Sequence, residues 1–243
     1  MKRRNALITG GATGIGRSIA LALAEQGVAI VVADLEFEAA AETASEIEKL
    51  GVRSAPSRLD IADVAGHRAY VARLEQDFGP IDILVNNAGV TSATKLLEMT
   101  PDEWDFIMGV NCRGTFFLTQ AVYERMLGRG SGRIISLASV SGERPARFAG
   151  AHYSVSKAGV IMMTKVFALH AGDSGVTINA VAPGTIDTGM TALLGTQVDP
   201  KDVPMNRMGA PEEVASAVVY LASDAASFIT GQTLGINGGQ YMR

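Results

Sequence analysis

Short apolar runs recur along the chain, and each ends in small or polar residues. They span 6–10, 28–34, 81–89, 133–139, 176–184 and 233–239, and a weaker run ends at 57–60. Runs that are almost continuously apolar and β-branched are typical of parallel strands buried on both faces. Helical patterns lie between them, at 15–26, 36–50, 102–127 and 153–172. This alternation predicts a doubly wound α/β fold with a parallel sheet and helices on both faces.

The alternation is not interrupted by a linker, a low-complexity segment or a repeat. We therefore expect residues 1–243 to form a single domain. Ligands of such sheets bind beyond the carboxyl ends of the strands. The residues that follow each strand are thus the place to search for function.

Composition narrows the class of protein. Hydrophobic residues make up 47% of the chain, which suits a globular core, and the net charge of −4 gives no footprint for nucleic acid. The single Cys112 and the separated His67, His152 and His170 predict neither a disulfide framework nor a metal site, and we expect Cys112 and His152 to be packing residues. The first apolar run breaks at Gly10, and none approaches the roughly 18 residues of a membrane span. A soluble cytoplasmic protein is expected.

A glycine-rich loop follows the first predicted strand. It reads TGGATGIG, from Thr9 to Gly16, and runs directly into a helical pattern. Glycines allow close approach to a pyrophosphate, whose charge the helix N-terminus stabilises. No Gly-Lys-Ser/Thr follows, so a Walker loop is excluded. The loop predicts a dinucleotide site, and the residues that we expect to contact the cofactor there are Gly10, Thr13, Gly14 and Ile15.

Acidic residues end the second and third predicted strands. Asp34 lies about 20 residues beyond the glycine loop, where a carboxylate accepts hydrogen bonds from a ribose 2′-hydroxyl and repels a 2′-phosphate. Neither Leu35 nor Thr13 supplies a positive charge, so NAD is favoured over NADP; the alternative is that Asp34 only caps the next helix. Asp60 could accept a hydrogen bond from the adenine amine, with Ile61 packed on the ring, or it could be an ordinary strand-end carboxylate.

The segment YSVSK places Tyr153 and Lys157 one helical turn apart. A tyrosine in water has a pKa of about 10 and is a poor base at neutral pH. A nearby ammonium group favours the phenolate and lowers that pKa. Without further context, the two residues could equally be an amphipathic pair on a helix.

Taken in order, these motifs resemble the short-chain dehydrogenase/reductase family, from about Ala6 to the carboxyl end. The resemblance rests on TGGATGIG, NNAG (86–89), VNCRGTFF (110–117), LASVSG (137–142), YSVSK, PGTIDT (183–188) and GINGG (235–239). It implies a Rossmann-type, seven-stranded parallel sheet in the order 3-2-1-4-5-6-7. It also implies a homotetramer, with subunit contacts from the last strand, the tail 238–243 and the helices at 102–127 and 153–172.

The resemblance assigns a role to four residues. Tyr153 is implied as the acid/base for the substrate oxygen, and Lys157 as the group that lowers its pKa and holds the nicotinamide ribose. Ser139 would hydrogen-bond the same substrate oxygen. Asn111 would kink its helix and hold a water that links Lys157 to solvent.

The resemblance also implies cofactor contacts in two further loops. One lies beside the ribose, and the other lines the nicotinamide, its carboxamide and the pyrophosphate. These residues are Asn87, Ala88 and Gly89 in the first loop, and Pro183, Gly184, Ile186 and Thr188 in the second.

The substrate is expected to contact the loop 140–152 and a lid at 189–208. The interval from Ser139 to Tyr153 is one residue longer than is usual in the family. Arg144 and Arg147 in this loop could bind a carboxylate, sulfonate or phosphate, or they could be solvated charges.

The sequence therefore favours an NAD-dependent dehydrogenase that transfers a hydride between NAD(H) and a secondary alcohol or ketone. The alternative is a 3-oxoacyl-[acyl-carrier-protein] reductase that uses NADPH. Those enzymes usually carry a basic residue where this chain has Ser174, before Gly175. A non-catalytic protein of the same fold is disfavoured because Tyr153 and Lys157 are both present.

Overall fold

A computed structural model describes residues 4–146, 149–193 and 200–242. Their centre is a seven-stranded sheet in which every pair of neighbouring strands is parallel, in the order β3-β2-β1-β4-β5-β6-β7. The fold class and strand order expected from the sequence are confirmed. The strands are β1 Asn5–Thr9, β2 Ala29–Asp34, β3 Ser54–Arg58, β4 Ile83–Asn86, β5 Gly132–Leu137, β6 Val176–Pro183 and β7 Thr233–Ile236.

Helices cover both faces of this sheet. The apolar sides of α1, α2 and α8 pack on one face, and those of α3, α5 and α6 pack on the other, so the central strands are buried on both sides. The helices are α1 Gly14–Glu25, α2 Phe37–Lys49, α3 His67–Phe78, α4 Pro101–Met108, α5 Thr115–Arg129, α6 Ala151–Ala171, α7 Gly189–Leu193 and α8 Pro211–Ala222. In the described part of the chain, none is both long and apolar enough to cross a membrane.

Three predicted elements differ from the structure. The helix expected at 102–127 is divided into α4 and α5 by a π-helical segment, Gly109–Gly114. The strands expected at 81–89 and 233–239 end early, at Asn86 and Ile236. Their last residues instead form loops, because Asn87 hydrogen-bonds the backbone of Gly10 and Gly238 adopts a φ of 55°. These loops lie at the carboxyl edge of the sheet, where ligands of such folds bind.

Candidate active site

The glycine loop between β1 and α1 is held against the loop that follows β4. Gly10 has a φ of 61°, and a Cβ there would lie 2.9 Å from the Ala88 Cα. The Asn87 side-chain amide donates to the carbonyl oxygens of Thr9 and Gly10, at 3.1 and 2.7 Å. The small residues thus let two loops pack closely while the start of α1 stays open at the edge of the sheet.

A cavity of about 710 Å³ extends from this loop along the ends of β2 and β3. Its size and its position at a helix N-terminus suit the adenosine and pyrophosphate of a dinucleotide. Of the predicted cofactor residues, those that line it are Gly10, Thr13, Gly14, Ile15, Asp34, Leu35, Asp60, Ile61, Asn87, Ala88, Gly89 and Thr188.

Asp34 lies in this cavity at the end of β2. Its Oδ2 accepts the Ala12 N–H of the glycine loop at 3.0 Å, and its Oδ1 accepts the Glu36 N–H at 3.2 Å. The second bond goes to the N-cap residue of α2, and the first turn of this helix has no side-chain cap, so the capping alternative is not observed. The described residues that line this cavity include no lysine or arginine.

A second cavity, of about 280 Å³, adjoins the first. Ile15, Asn87, Gly89 and Thr188 line both cavities, which makes them continuous. The predicted residues found in the second cavity only are Ser139, Tyr153, Lys157, Pro183, Gly184 and Ile186. Three of the four residues with implied catalytic roles thus line one cavity, and the fourth, Asn111, hydrogen-bonds Val90 in the wall of the other.

Lys157 is almost fully buried, with 6% of its surface exposed. Its Nζ donates to the Leu137 carbonyl oxygen at 2.7 Å and lies 5.8 Å from the centre of the Tyr153 ring. Burial lowers the pKa of Lys157 to about 8, so the amine is mostly protonated at neutral pH. The charged amine and the phenol therefore face the same cavity.

Two opposing effects act on the pKa of the Tyr153 phenol. Burial raises the pKa of Tyr153, and a side-chain hydrogen bond with Ser139 acts in the opposite direction. The lowering of this pKa that is expected from Lys157 together with a positively charged nicotinamide stays a prediction.

Asn111 lies in the π-helical segment between α4 and α5, and only 1% of its surface is exposed. Its side chain accepts the Val90 N–H at 2.8 Å and donates to the Val90 carbonyl and to Ser156 Oγ, at 2.9 and 3.0 Å. A Cβ on Gly89 would lie 3.2 Å from Asn111 Oδ1 and 3.4 Å from Lys157 Nζ. The glycine therefore keeps space open between the amide and the amine.

His152 has a more specific environment than the packing role expected from the sequence. Its side chain is fully buried, and its Nδ1 accepts the Tyr153 N–H at 2.9 Å. Its Nε2 lies 3.4 Å from Glu103 Oε1, which also accepts hydrogen bonds from Ser92 and Thr94 at 2.6 and 2.5 Å. Those hydroxyl groups lower the pKa of Glu103. The sequence places Glu103 49 positions before His152, so no local pattern reveals the pair.

Residues outside the quoted motifs also line the second cavity. Gln240, near the carboxyl end, accepts the Thr185 N–H at 2.8 Å and donates to Thr185 Oγ1 at 3.0 Å, which braces the loop after β6. Arg144 and Asp202 also line this cavity. Arg147 and residues 194–199 of the predicted lid lie outside the described residues.

Comparison with known proteins agrees with this arrangement. A family profile described as "Enoyl-(Acyl carrier protein) reductase" matches residues 10–240. Nodulation protein G of Azospirillum brasilense is 41% identical, with 98% of each chain covered. Acetoacetyl-CoA reductase of Rhizobium meliloti is 40% identical, again with 98% of each chain covered.

A solved 3-oxoacyl-[acyl-carrier protein] reductase with bound NAD, from Brucella melitensis, superposes with a TM-score of 0.91 at 37% identity. The match covers 100% of this chain and 92% of that one. The sequence motifs, the strand order and these similarities agree over nearly the whole chain: it belongs to the short-chain dehydrogenase/reductase family of oxidoreductases.

Proposed function

We propose that the protein is an NAD(H)-dependent oxidoreductase that interconverts a secondary alcohol and its ketone. The observation that carries the choice of cofactor is the adenosine end of the large cavity. Asp34 contributes a carboxylate there, and the described lining contains no lysine or arginine to receive a 2′-phosphate. The proposal assigns cofactor binding and catalysis to one domain, residues 1–243, working in the cytoplasm.

In the proposed reaction, Tyr153 exchanges a proton with the substrate oxygen. Ser139 lies in the same cavity and hydrogen-bonds that oxygen, which stabilises the charge that develops there. A bound oxidised nicotinamide would supply the hydride acceptor, and its positive charge, together with that of Lys157, would favour the phenolate.

Lys157 and Asn111 complete the proposed proton path. The ammonium group of Lys157 holds the nicotinamide ribose and steadies the phenolate. The proposal places a water next to Gly89, between Lys157 Nζ and Asn111 Oδ1, to pass the proton on. The loops with Asn87, Pro183 and Thr188 orient the nicotinamide.

Replacing the phenol tests the chemical step. We expect Tyr153→Phe to lower kcat by about 10²- to 10⁴-fold, the usual contribution of a positioned acid/base, and to leave the Kd for NAD within about threefold. Turnover with secondary alcohols and quenching of protein fluorescence by NADH measure the two quantities. Unchanged turnover would contradict the proposal, since the ring and its packing are retained.

Exchanging the carboxylate of Asp34 tests the choice of cofactor. The wild-type protein should use NAD with a higher kcat/KM than NADP, and Asp34→Ala should reduce that preference at least tenfold because the repulsion of a 2′-phosphate is lost. Glu42→Gln, which removes an exposed carboxylate from α2 outside the cavity, is the control and should keep the preference. A wild-type preference for NADP would refute the NAD assignment.

A second candidate is reduction of a 3-oxoacyl thioester with NADPH. It is favoured by the names of the relatives, an acetoacetyl-CoA reductase and a 3-oxoacyl-[acyl-carrier protein] reductase. Assays of acetoacetyl-CoA with NADH and with NADPH separate the two candidates. Efficient reduction only with NADPH would favour this second function.

A further inference from the structure

The reaction cavity carries a local charge that differs in sign from that of the whole chain. The chain has a net charge of −4. Among the described residues that line the cavity, Arg144 and Lys157 are cations, and Asp202 is the one carboxylate. A net positive cavity in a negative protein attracts small anions and raises their local concentration.

Arg144 is the cation that reaches this cavity from the substrate loop. It follows the short 3₁₀ turn Val140–Gly142 after β5, and its backbone N–H donates to the Val140 carbonyl oxygen at 3.0 Å. Its Nε is buried without a hydrogen-bond partner among the described residues. The carboxylate of the same cavity, Asp202, has an interaction of its own.

Several other arginines of this protein do have carboxylate partners. Arg17 pairs with Glu46 at 2.6 Å, and Arg207 with Glu213 at 2.6 Å, although all four side chains are substantially exposed. A half-buried guanidinium without a counter-charge is unfavourable unless a ligand supplies one. Arg129 and Arg133 also have a buried Nε without a partner, but each lies within 4 Å of a carboxylate, whereas Arg144 lines the reaction cavity.

We propose that Arg144 binds a carboxylate of the substrate, so that the substrates are small hydroxy acids and the matching oxo acids. The inference rests on the proposed function. In the oxidation, the hydroxyl proton passes to Tyr153 and the hydride passes from the carbinol carbon to NAD, which gives the oxo acid, NADH and a proton. The carboxylate takes no part and only fixes the orientation.

Two features favour a small carboxylate over other anions. The guanidinium fork matches the planar carboxylate group. The cavity of about 280 Å³ has room for a short acid, and one arginine gives less support than phosphate groups usually receive. A carrier-bound substrate has a neutral thioester where the small acid has its carboxylate, so it gains nothing from the positive charge of Arg144.

Matched substrates test the role of Arg144. We expect the wild-type protein to oxidise 3-hydroxybutyrate with a higher kcat/KM than its methyl ester. Arg144→Gln should lower kcat/KM for the acid by about 10- to 100-fold, the range for loss of a charge-assisted hydrogen bond, and leave that for the ester nearly unchanged. The kcat/KM of Arg144→Lys for the acid should lie between those of the wild type and Arg144→Gln. Arg68→Gln, which removes an exposed arginine on α3, is the control and should keep the wild-type ratio.

Binding without turnover provides an independent readout. Butyrate should raise the Tm of the wild-type protein and of Arg68→Gln, and butyramide should not; Arg144→Gln should show no response to either. Equal shifts by butyrate in the wild type and Arg144→Gln would overturn the inference. If the ester is oxidised with NAD while Arg144→Gln has no effect on the acid, the carboxylate site is refuted and the proposed function stands. If no alcohol is oxidised but butyrate binds through Arg144, the proposed reaction is refuted and the anion site stands.

Discussion

The buried lysine shows how one residue can serve the reaction at the expense of the folded state. Lys157 has 6% of its surface exposed, and the Leu137 carbonyl oxygen is the acceptor of its one observed hydrogen bond, at 2.7 Å. Burial of the ammonium group lowers its pKa from 10.5 to about 8. The charge that the proposed mechanism needs is therefore a charge that folding disfavours.

This conflict predicts a measurable dependence of stability on pH. Between pH 8 and 10.5 the unfolded chain still binds the proton that folded Lys157 has released, so raising the pH over this window favours the folded state. The slope is up to about 1.4 kcal/mol per pH unit. Lys157→Met has no titrating group at this position. The difference in free energy of unfolding, wild type minus variant, should therefore increase from pH 7 to pH 10.

Urea denaturation of the two proteins without cofactor measures this difference. Other groups titrate equally in both, so only the difference between the two free energies of unfolding is informative. The variant also leaves the Leu137 carbonyl oxygen without its donor, which shifts the difference by a constant and does not change its slope. A difference that stays flat from pH 7 to pH 10 would show that the lysine pKa is not lowered.

At the scale of residues, sequence reasoning located the site better than it described its energetics. The predicted cofactor and catalytic residues other than Asn111 line the two cavities, and Asn111 hydrogen-bonds Val90 of their wall. Most of these residues follow a strand or lie near the start of a helix, so their spacing along the chain indicated where they would meet. The pKa of Tyr153 could not be predicted this way, because burial depends on residues distant in sequence.

At the scale of elements, the start of α6 depends on a side chain that no motif includes. The helix begins after Gly150, which has no side chain to cap the first turn. The Tyr153 N–H instead donates to His152 Nδ1, while His152 Nε2 faces Glu103 of α4 at 3.4 Å. The pair ties the first turn of α6, and the backbone of Tyr153, to a second helix. His152 is thus a positioning residue.

Two substitutions separate the two contacts of His152. In His152→Asn, the side-chain amide oxygen would lie where Nδ1 accepts the Tyr153 N–H, whereas in His152→Gln the longer side chain would reach toward Glu103 without offering that acceptor. We expect His152→Asn to retain kcat within about threefold and His152→Gln to lose roughly tenfold, since small misplacements of a reacting group are costly. The Kd for NAD should change little in either variant. Equal losses of kcat in both variants would refute the positioning role.

The apolar pattern predicted most elements but not their interruptions, one of which the family resemblance implied as a kink at Asn111. The apolar runs are clearest for the inner strands because both of their faces are buried, whereas the edge strands β3 and β7 are partly exposed. The π-helical segment at Gly109–Gly114 escaped the helical pattern, since one added residue in a turn does not alter the spacing of apolar side chains enough to be noticed. That segment carries Asn111, so the irregularity coincides with the site.

At the scale of the whole molecule, α6 has a second apolar surface. Its inner side carries Tyr153 and Lys157, and its outer side exposes Val155, Met162, Val166 and Leu169, with 45%, 59%, 43% and 80% of their surfaces accessible. These four follow one another at helical spacings of seven, four and three residues, so they form a stripe on one face. The family resemblance implies that a second copy of the chain covers this helix in a homotetramer.

The stripe gives the proposed tetramer a specific test. Light scattering after size exclusion should give a wild-type mass of about four times the 25.4 kDa chain. Leu169→Glu should give a smaller assembly, because a carboxylate buried in an apolar contact without a partner is strongly unfavourable. Leu50→Glu changes an equally apolar side chain, 50% exposed at the end of α2, and should leave the mass unchanged. Because Tyr153 and Lys157 lie on the same helix, the smaller assembly should also show a lower kcat. A monomeric wild type, or a Leu169→Glu protein that keeps the full mass, would show that the stripe is not the contact.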